Sequence, residues 1–239
     1  MTNPLVQKLS SFVDLDEEDV SRVESLCYDV RRFKAKRNLI REGDRPEVVF
    51  LLLEGWACRY KVLPNGTRHI MAYLLPGDLC DVHVFILKEM DHSLALLSDA
   101  KVAVIPKQKM LGLIEQRPKL ARALWWATLV DEAILREWLV NMGKRPAYDR
   151  VAHLFVELYL RLRAVGLAPD HSFDLLATQA DLGDTLGITS VHMNRTLQKL
   201  KGEGLIQSAQ GRLRIPDIQR LKNVTRFEEN YLHLNRRTA

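Results

Sequence analysis

From Pro118 to Met142 the chain runs 25 residues without a glycine or an internal proline. Leu120, Leu124, Ala127, Asp131, Ile134, Trp138 and Asn141 recur there at alternating spacings of four and three, the seam of a two-stranded coiled coil. Asp131 and Asn141 interrupt that seam. The opposite side is apolar too, at Trp125, Trp126, Leu129 and Ala133. A helix apolar on two faces needs two partners. We expect one face to pack on the chain's own preceding domain. The seam residues Leu120, Leu124, Ala127, Asp131, Ile134 and Trp138 are expected to pair with a second copy. The alternative is a helix buried wholly within a monomer. A membrane span is a poor reading, because the most apolar window, Ala123 to Val140, carries Asp131, Glu132, Arg136 and Glu137.

Before this helix the pattern is different. Asp16 is placed as an N-cap, and Glu17, Glu18 and Asp19 follow where the helix dipole favours acidic groups. Val20, Val23 and Leu26 supply a helical stripe. After Arg31, short apolar runs alternate with turn signals: Gly43-Asp44, Val48 to Leu53, Gly55, Asn65-Gly66 and Pro76-Gly77-Asp78. A turn about every ten residues marks a small sandwich or barrel. Asn65-Gly66 predicts a hairpin between Trp56–Leu63 and His69–Leu75. Val102 to Ile105 closes the strand region and Pro106 stops it.

After the helix, Gly143 and Pro146 mark a hinge, and Val151, Leu154, Phe155 and Leu158 form a new helical stripe. Thr178 is an N-cap for a helix through Leu186, Gly187-Ile188-Thr189 is a tight turn, and a second helix begins at Ser190. Met193, Leu197 and Leu200 share its core-facing side. Val191, Asn194, Arg195 and Gln198 share the other, which offers side chains for base edges and no acid to repel phosphate. Leu205-Ile206 is expected to open a strand, and Gly211-Arg212-Leu213-Arg214-Ile215 to return as a basic hairpin. Helix, turn, helix and hairpin describe a winged helix-turn-helix, whose second helix enters the major groove of DNA. Charge agrees. Of 35 basic and 30 acidic residues, residues 1–143 hold 20 of each, whereas 144–239 hold 15 and 10. The whole excess of +5 falls in the part that would meet a polyanion.

Several classes fall away. No stretch at the start reads as a secretory signal, and Cys27, Cys58 and Cys80 form neither a CxxC pair nor a disulfide framework. No P-loop, GxSxG, HExxH or GxGxxG motif points to an enzyme. The expectation is a cytoplasmic protein that does not enter a membrane.

In the turn Arg41-Glu42-Gly43-Asp44, the turn Pro76-Gly77-Asp78, the long helix and Leu182-Gly183-Asp184-Thr185-Leu186-Gly187-Ile188, the sequence resembles the Crp/Fnr family of bacterial transcription regulators. The resemblance implies an α+β chain with three parts. Residues 1–117 would form an antiparallel β-roll or jelly roll with flanking helices, 118–143 a dimerisation helix, and 144–239 a winged helix-turn-helix. It also implies a homodimer on a two-fold symmetric duplex site, with recognition helices about 34 Å apart, and contact with RNA polymerase. Arg195 matches the family's recognition-helix arginine, suited to guanine. Val191 stands where the family usually has an acid, and Asn194 where Fnr-like members have serine. Val191 would then meet a thymine methyl and Asn194 an adenine. Thr178, Gln179, Thr189, Ser190, His192, Lys199 and Arg212 complete the expected DNA-binding set with Val191, Asn194, Arg195 and Gln198.

The family's β-roll also suggests an effector pocket, here around Gly77, Asp78, His92, Ser93 and Thr128. Cyclic-nucleotide binders hold the phosphate with an Arg-Ser pair, and this chain has His92-Ser93 in its place. A phosphodiester wants a guanidinium fork. Iron–sulfur sensing needs four thiolates, and three are present. Asp78, Asp81, His83 and His92 lie close enough in sequence for a metal or haem iron, but their spacing fits no established ligand pattern. No cofactor is predicted. The competing reading is a small-ligand sensing module whose basic C-terminal part binds DNA nonspecifically or contacts protein.

Overall fold

The computed structural model describes residues 3–82 and 87–234. The chain divides inside its longest helix into two units, one ending at Asp131 and the other running from Glu132 to His233.

The first unit opens with α1 (Pro4–Ser10), whose Asn3 side chain caps the Leu5 N–H. Helix α2 (Glu17–Ser25) follows with a full capping box between Asp16 and Asp19, as the acidic run predicts. Asp19 is wholly buried. Its burial opposes ionisation, but Lys119 and Arg117, at 2.5 and 2.7 Å, outweigh that and hold its pKa at about 2. The strands are β1 (Val30–Phe33), β2 (Asn38–Ile40), β3 (Val48–Glu54), β4 (Ala57–Val62), β5 (Arg68–Leu74), β6 (Leu79–Cys80), β7 (Ser93–Leu96) and β8 (Ala100–Pro106). They pair antiparallel in two sheets, in the orders β1-β8-β3-β6 and β2-β7-β4-β5. Val49 to Leu52 of β3 are all buried, which a continuous apolar run requires when both faces of a strand are covered. The core joins Val49, Leu51, Leu94, Val102 and Ile105 of the sheets to Leu5 and Leu9 of α1.

Two local expectations need amendment. The Asn65-Gly66 hairpin exists, but its strands are joined by residues 63–67, with Gly66 N–H donating to Leu63 O and Leu63 N–H to Thr67 O. Pro106 does end the strand region, and it also leads directly into a helix that periodicity did not reveal, α3 (Lys107–Gln116).

Helix α4 (Pro118–Lys144) continues through Gly143. It has two apolar faces, as its sequence requires, but the seam expected to pair with a second copy is largely covered by the chain itself. Leu120 and Leu124 belong to the core of the first unit, and Ala127 is half-buried. Asp131 is ion-paired to Arg59. Ile134 and Trp138 are buried in the second unit, with Trp138 Nε1 donating to Glu157 Oε2 at 3.0 Å. The seam expected to meet a second copy is therefore filled by the chain's own packing. The exposed apolar residues lie on the other side: Trp125, Leu129, Leu139 and Val140, with Leu135 beside them. Periodicity shows that two faces are apolar; only long-range packing decides which one the chain covers itself.

The second unit contains α5 (Ala147–Ala164), β9 (Ser172–Asp174), α6 (Gln179–Leu186), α7 (Ser190–Gly202), β10 (Gln207–Ala209), β11 (Arg212–Arg214) and α8 (Ile218–Thr225). Every residue of α5 from Val151 to Leu160 is buried, so the helix is the pillar of this unit. Glu157 on it accepts from Trp138 and from the Tyr231 hydroxyl, and pairs with Arg161 at 3.3 Å. Such partners are what a buried carboxylate requires. No helix among the described residues is long and apolar enough to cross a membrane.

Candidate nucleic-acid interface

The helix-turn-helix is set by caps at each end of its turn. Thr178 caps α6 by accepting from the Asp181 N–H, and Asp181 Oδ2 accepts from the Thr178 N–H at 2.9 Å, a reciprocal box. Gly187 ends the helix at φ 61°, a left-handed conformation that glycine adopts without steric cost. Arg150 of α5 donates to the terminal carbonyl of Leu186 at 2.7 Å, satisfying a group the helix end leaves open. Thr189 then caps α7 through the His192 N–H. The turn folds back on α6 so closely that a Cβ on Gly183 would lie 2.7 Å from the Ile188 carbonyl oxygen.

Along α7, Met193, Leu197 and Leu200 are buried, as their spacing predicts, and Thr196 joins them. Ser190, Val191, His192, Asn194, Arg195, Gln198 and Lys199 are exposed, and so are Thr178, Gln179 and Thr189 at the two helix starts. Val191 is 64% exposed, a large fraction for an apolar side chain. The helix carries three basic residues and no acidic one. One of them is partly engaged within the chain: Lys199 lies over the Tyr148 ring at 4.6 Å and 4.0 Å from Glu203.

The hairpin begins later than expected, at Gln207, because Leu205 and Ile206 are buried as core. Strands β10 and β11 turn at Gln210 and Gly211, both at positive φ, and β9 pairs with β11 as a third strand. Arg212 is not a loose wing cation. It donates to Ser172 Oγ at 2.8 Å and lies 3.7 Å from Asp174. Arg214 is exposed beside it. Arg150, Ser172 and Asp174 were not singled out by sequence, since each acts through a contact far along the chain.

The β-roll holds a separate small cavity, of about 20 Å³, room for about one water. Gly77 and Thr128 line it, whereas Asp78, His92 and Ser93 are not among its lining residues. Asp78 is ion-paired to Lys8 at 2.6 Å. Ser93 accepts from the Glu42 N–H, and Thr128 donates to the Leu124 carbonyl. His92 contacts Asp91 at 2.7 Å and Asp81 at 3.2 Å. Two cations line the cavity, Lys8 and Arg59, and neither was singled out by sequence. Arg59 of β4 lies 3.1 Å from Asp81 and 3.3 Å from Asp131. Burial disfavours its charge, but the two carboxylates more than restore it. A guanidinium already held by two carboxylates does not fit the anchor a cyclic phosphodiester needs. His83 lies outside the described residues, and among those described no group of three or more His, Cys, Asp or Glu is placed to hold a metal ion. Cys58 and Cys80 are buried and Cys27 is half-buried, and none is in a disulfide.

Comparison with known proteins follows the same division. A family model described as a Crp-like helix-turn-helix domain matches residues 149–224, and one described as a cyclic nucleotide-binding domain matches 30–117. The nitrogen fixation regulation protein FixK of Bradyrhizobium diazoefficiens is 28% identical over 208 residues, covering 87% of this chain and 86% of that protein. The transcriptional activatory protein AadR of Rhodopseudomonas palustris is 28% identical over 228 residues, 95% of this chain and 91% of its own. The solved structure of FixK2 from Bradyrhizobium japonicum has the same fold, with a TM-score of 0.71 at 24% identity, covering 81% of this chain and 95% of that one. With one domain model on the β-roll, the other on the helix-turn-helix, and relatives matched along most of their length, the chain belongs to the Crp/Fnr family of DNA-binding transcription regulators.

Proposed function

We propose that the protein is a cytoplasmic regulator that binds a two-fold symmetric duplex site as a homodimer, with α7 of each copy in the major groove of one half-site. The observation that carries this reading is the solvent face of α7. Val191, Asn194, Arg195 and Gln198 stand together on it, supported from behind by Met193, Leu197 and Leu200. Arg195 is matched to guanine, Asn194 to adenine, and Val191 to the methyl of thymine. Thr178, Gln179, Thr189 and Ser190 are exposed at the N-termini of α6 and α7, a favourable place for phosphates. His192, Lys199 and Arg212 add contacts at the edges, and contact with RNA polymerase belongs to the same proposal.

The dimer surface in this reading is the exposed strip of α4, Trp125, Leu129, Leu139 and Val140. An apolar strip of this length on a single helix is costly to leave in water and is matched by a second copy of itself.

The test is selection from random duplexes followed by binding of Arg195→Ala. The selected site should be palindromic, with half-site centres about 34 Å apart. Arg195→Ala should lose about 1–3 kcal/mol and relax preference at one guanine. Selection of no sequence, or an Arg195→Ala variant with unchanged specificity, would remove the reading.

A further inference from the structure

Across the turn, the first residue of α6 meets the fifth of α7. Asn194 Nδ2 donates to Gln179 Oε1 at 3.5 Å. Both side chains are exposed, so neither is there to complete a core.

The contact matters because of what an asparagine amide is. Its oxygen and nitrogen have nearly the same shape and opposite chemistry, and rotation by half a turn exchanges them. In the major groove adenine offers an acceptor at N7 beside a donor at N6, whereas guanine offers acceptors at both N7 and O6. An amide with its N–H toward N7 and its oxygen toward N6 fits adenine. The flipped amide does not. With one Nδ2 hydrogen given to Gln179, Asn194 keeps its second N–H and its Oδ1 for a base, and the half-turn that would exchange them breaks the bond unless the Gln179 amide turns with it.

The backbone around the pair gives the contact a fixed frame. The Thr178–Asp181 box sets the start of α6, Thr189 sets the start of α7, and the turn between them packs its Ile188 carbonyl tightly against Gly183. A bond of 3.5 Å is weak while water competes for it; in a groove from which water is excluded it strengthens.

We infer that Gln179 is a positioning residue for DNA specificity: it holds the Asn194 amide in the orientation that reads adenine in each half-site. This rests on the proposed recognition role of α7.

The experiment uses the full chain and the operator obtained by selection. If no operator is selected, it is the recognition reading that fails, before Gln179 is tested. With an operator in hand, Asn194→Ala identifies the adenine whose preference depends on Asn194. At that position Gln179→Ala should lower the preference for adenine by roughly 3–10-fold, less than the about 5–150-fold of losing a whole bidentate pair. The guanine preference lost in Arg195→Ala should be kept. Gln179→Glu retains an accepting oxygen, so it should keep the adenine preference while weakening binding to every sequence by repelling phosphates. Thermal melts check that each variant is folded. The proposal is overturned if Gln179→Ala weakens all sequences equally, if its adenine preference is unchanged, if Gln179→Glu loses that preference too, or if Asn194→Ala alters no adenine position.

Discussion

Asn141 and His153 face each other inside the second unit, the amide Nδ2 donating to the imidazole Nδ1 at 3.1 Å. His153 is completely buried, and its Nε2 lies 3.3 Å from Glu137 without hydrogen-bond geometry. Burial, with the nearby charge of Arg145, pushes its pKa down to about 3 from 6.5. Between those values the unfolded chain takes up a proton that the folded chain refuses. Stability is therefore lost as pH falls below about 6.5. Urea unfolding at pH 7, 6 and 5 should show a fall that His153→Gln reduces by up to about 2 kcal/mol at pH 5. Parallel curves for the two proteins would remove this account.

Gly183→Ala tests the packing of the turn against α6. The added methyl would have to displace the Ile188 carbonyl, which is backbone and cannot rotate aside. Melting should show a loss of about 1–3 kcal/mol. Site-specific binding should fall further than stability alone accounts for, because the start of α7 moves with Ile188. A variant that binds the operator normally would show that the turn can give way.

The two faces of α4 can be separated by paired substitutions. Leu139 is 68% exposed and Leu124 is 3% exposed. Leu139→Glu should leave a folded chain and weaken self-association at least about tenfold by sedimentation, since an interface core rejects an unpaired charge. Leu124→Glu should instead unfold the first unit. Unchanged dimerisation in Leu139→Glu would place the interface elsewhere.

Cyclic nucleotides should not stabilise the protein. A ligand present at 100 times its dissociation constant adds about 2.7 kcal/mol. With Arg59 already bound by Asp81 and Asp131, millimolar 3′,5′-cyclic AMP or GMP should leave the melting temperature and operator affinity where they were. A reproducible rise of a few degrees would show that the pocket rearranges to admit them.

What the residues disclosed in advance was what local chemistry decides. Asp16 and Asp19, Thr178 and Asp181, and the Gly187 turn all act within four residues, so α2 and the helix-turn-helix were legible. The exposed face of α7 was legible for the same reason: its core residues Met193, Leu197 and Leu200 recur at helical spacing. Contacts at long range were not. Arg59, Asp81 and Asp131 are separated by 22 and 50 residues, and nothing in the spacing joins them. The partner of each α4 face was hidden too, because both faces are equally apolar. Helix α3 has no side-chain cap, and α8 is only eight residues long, too short for periodicity to stand out.

Helix α5 has no exposed residue from Val151 to Leu160, while on α7 the residues Val191, Arg195 and Gln198 are all exposed and support no core. Substitutions on α5 are therefore judged by whether the chain folds, and, in the proposed function, those on the exposed face of α7 by which sequence it prefers. A lineage can retarget its regulator by drifting along one helix, without first finding compensating changes in the other.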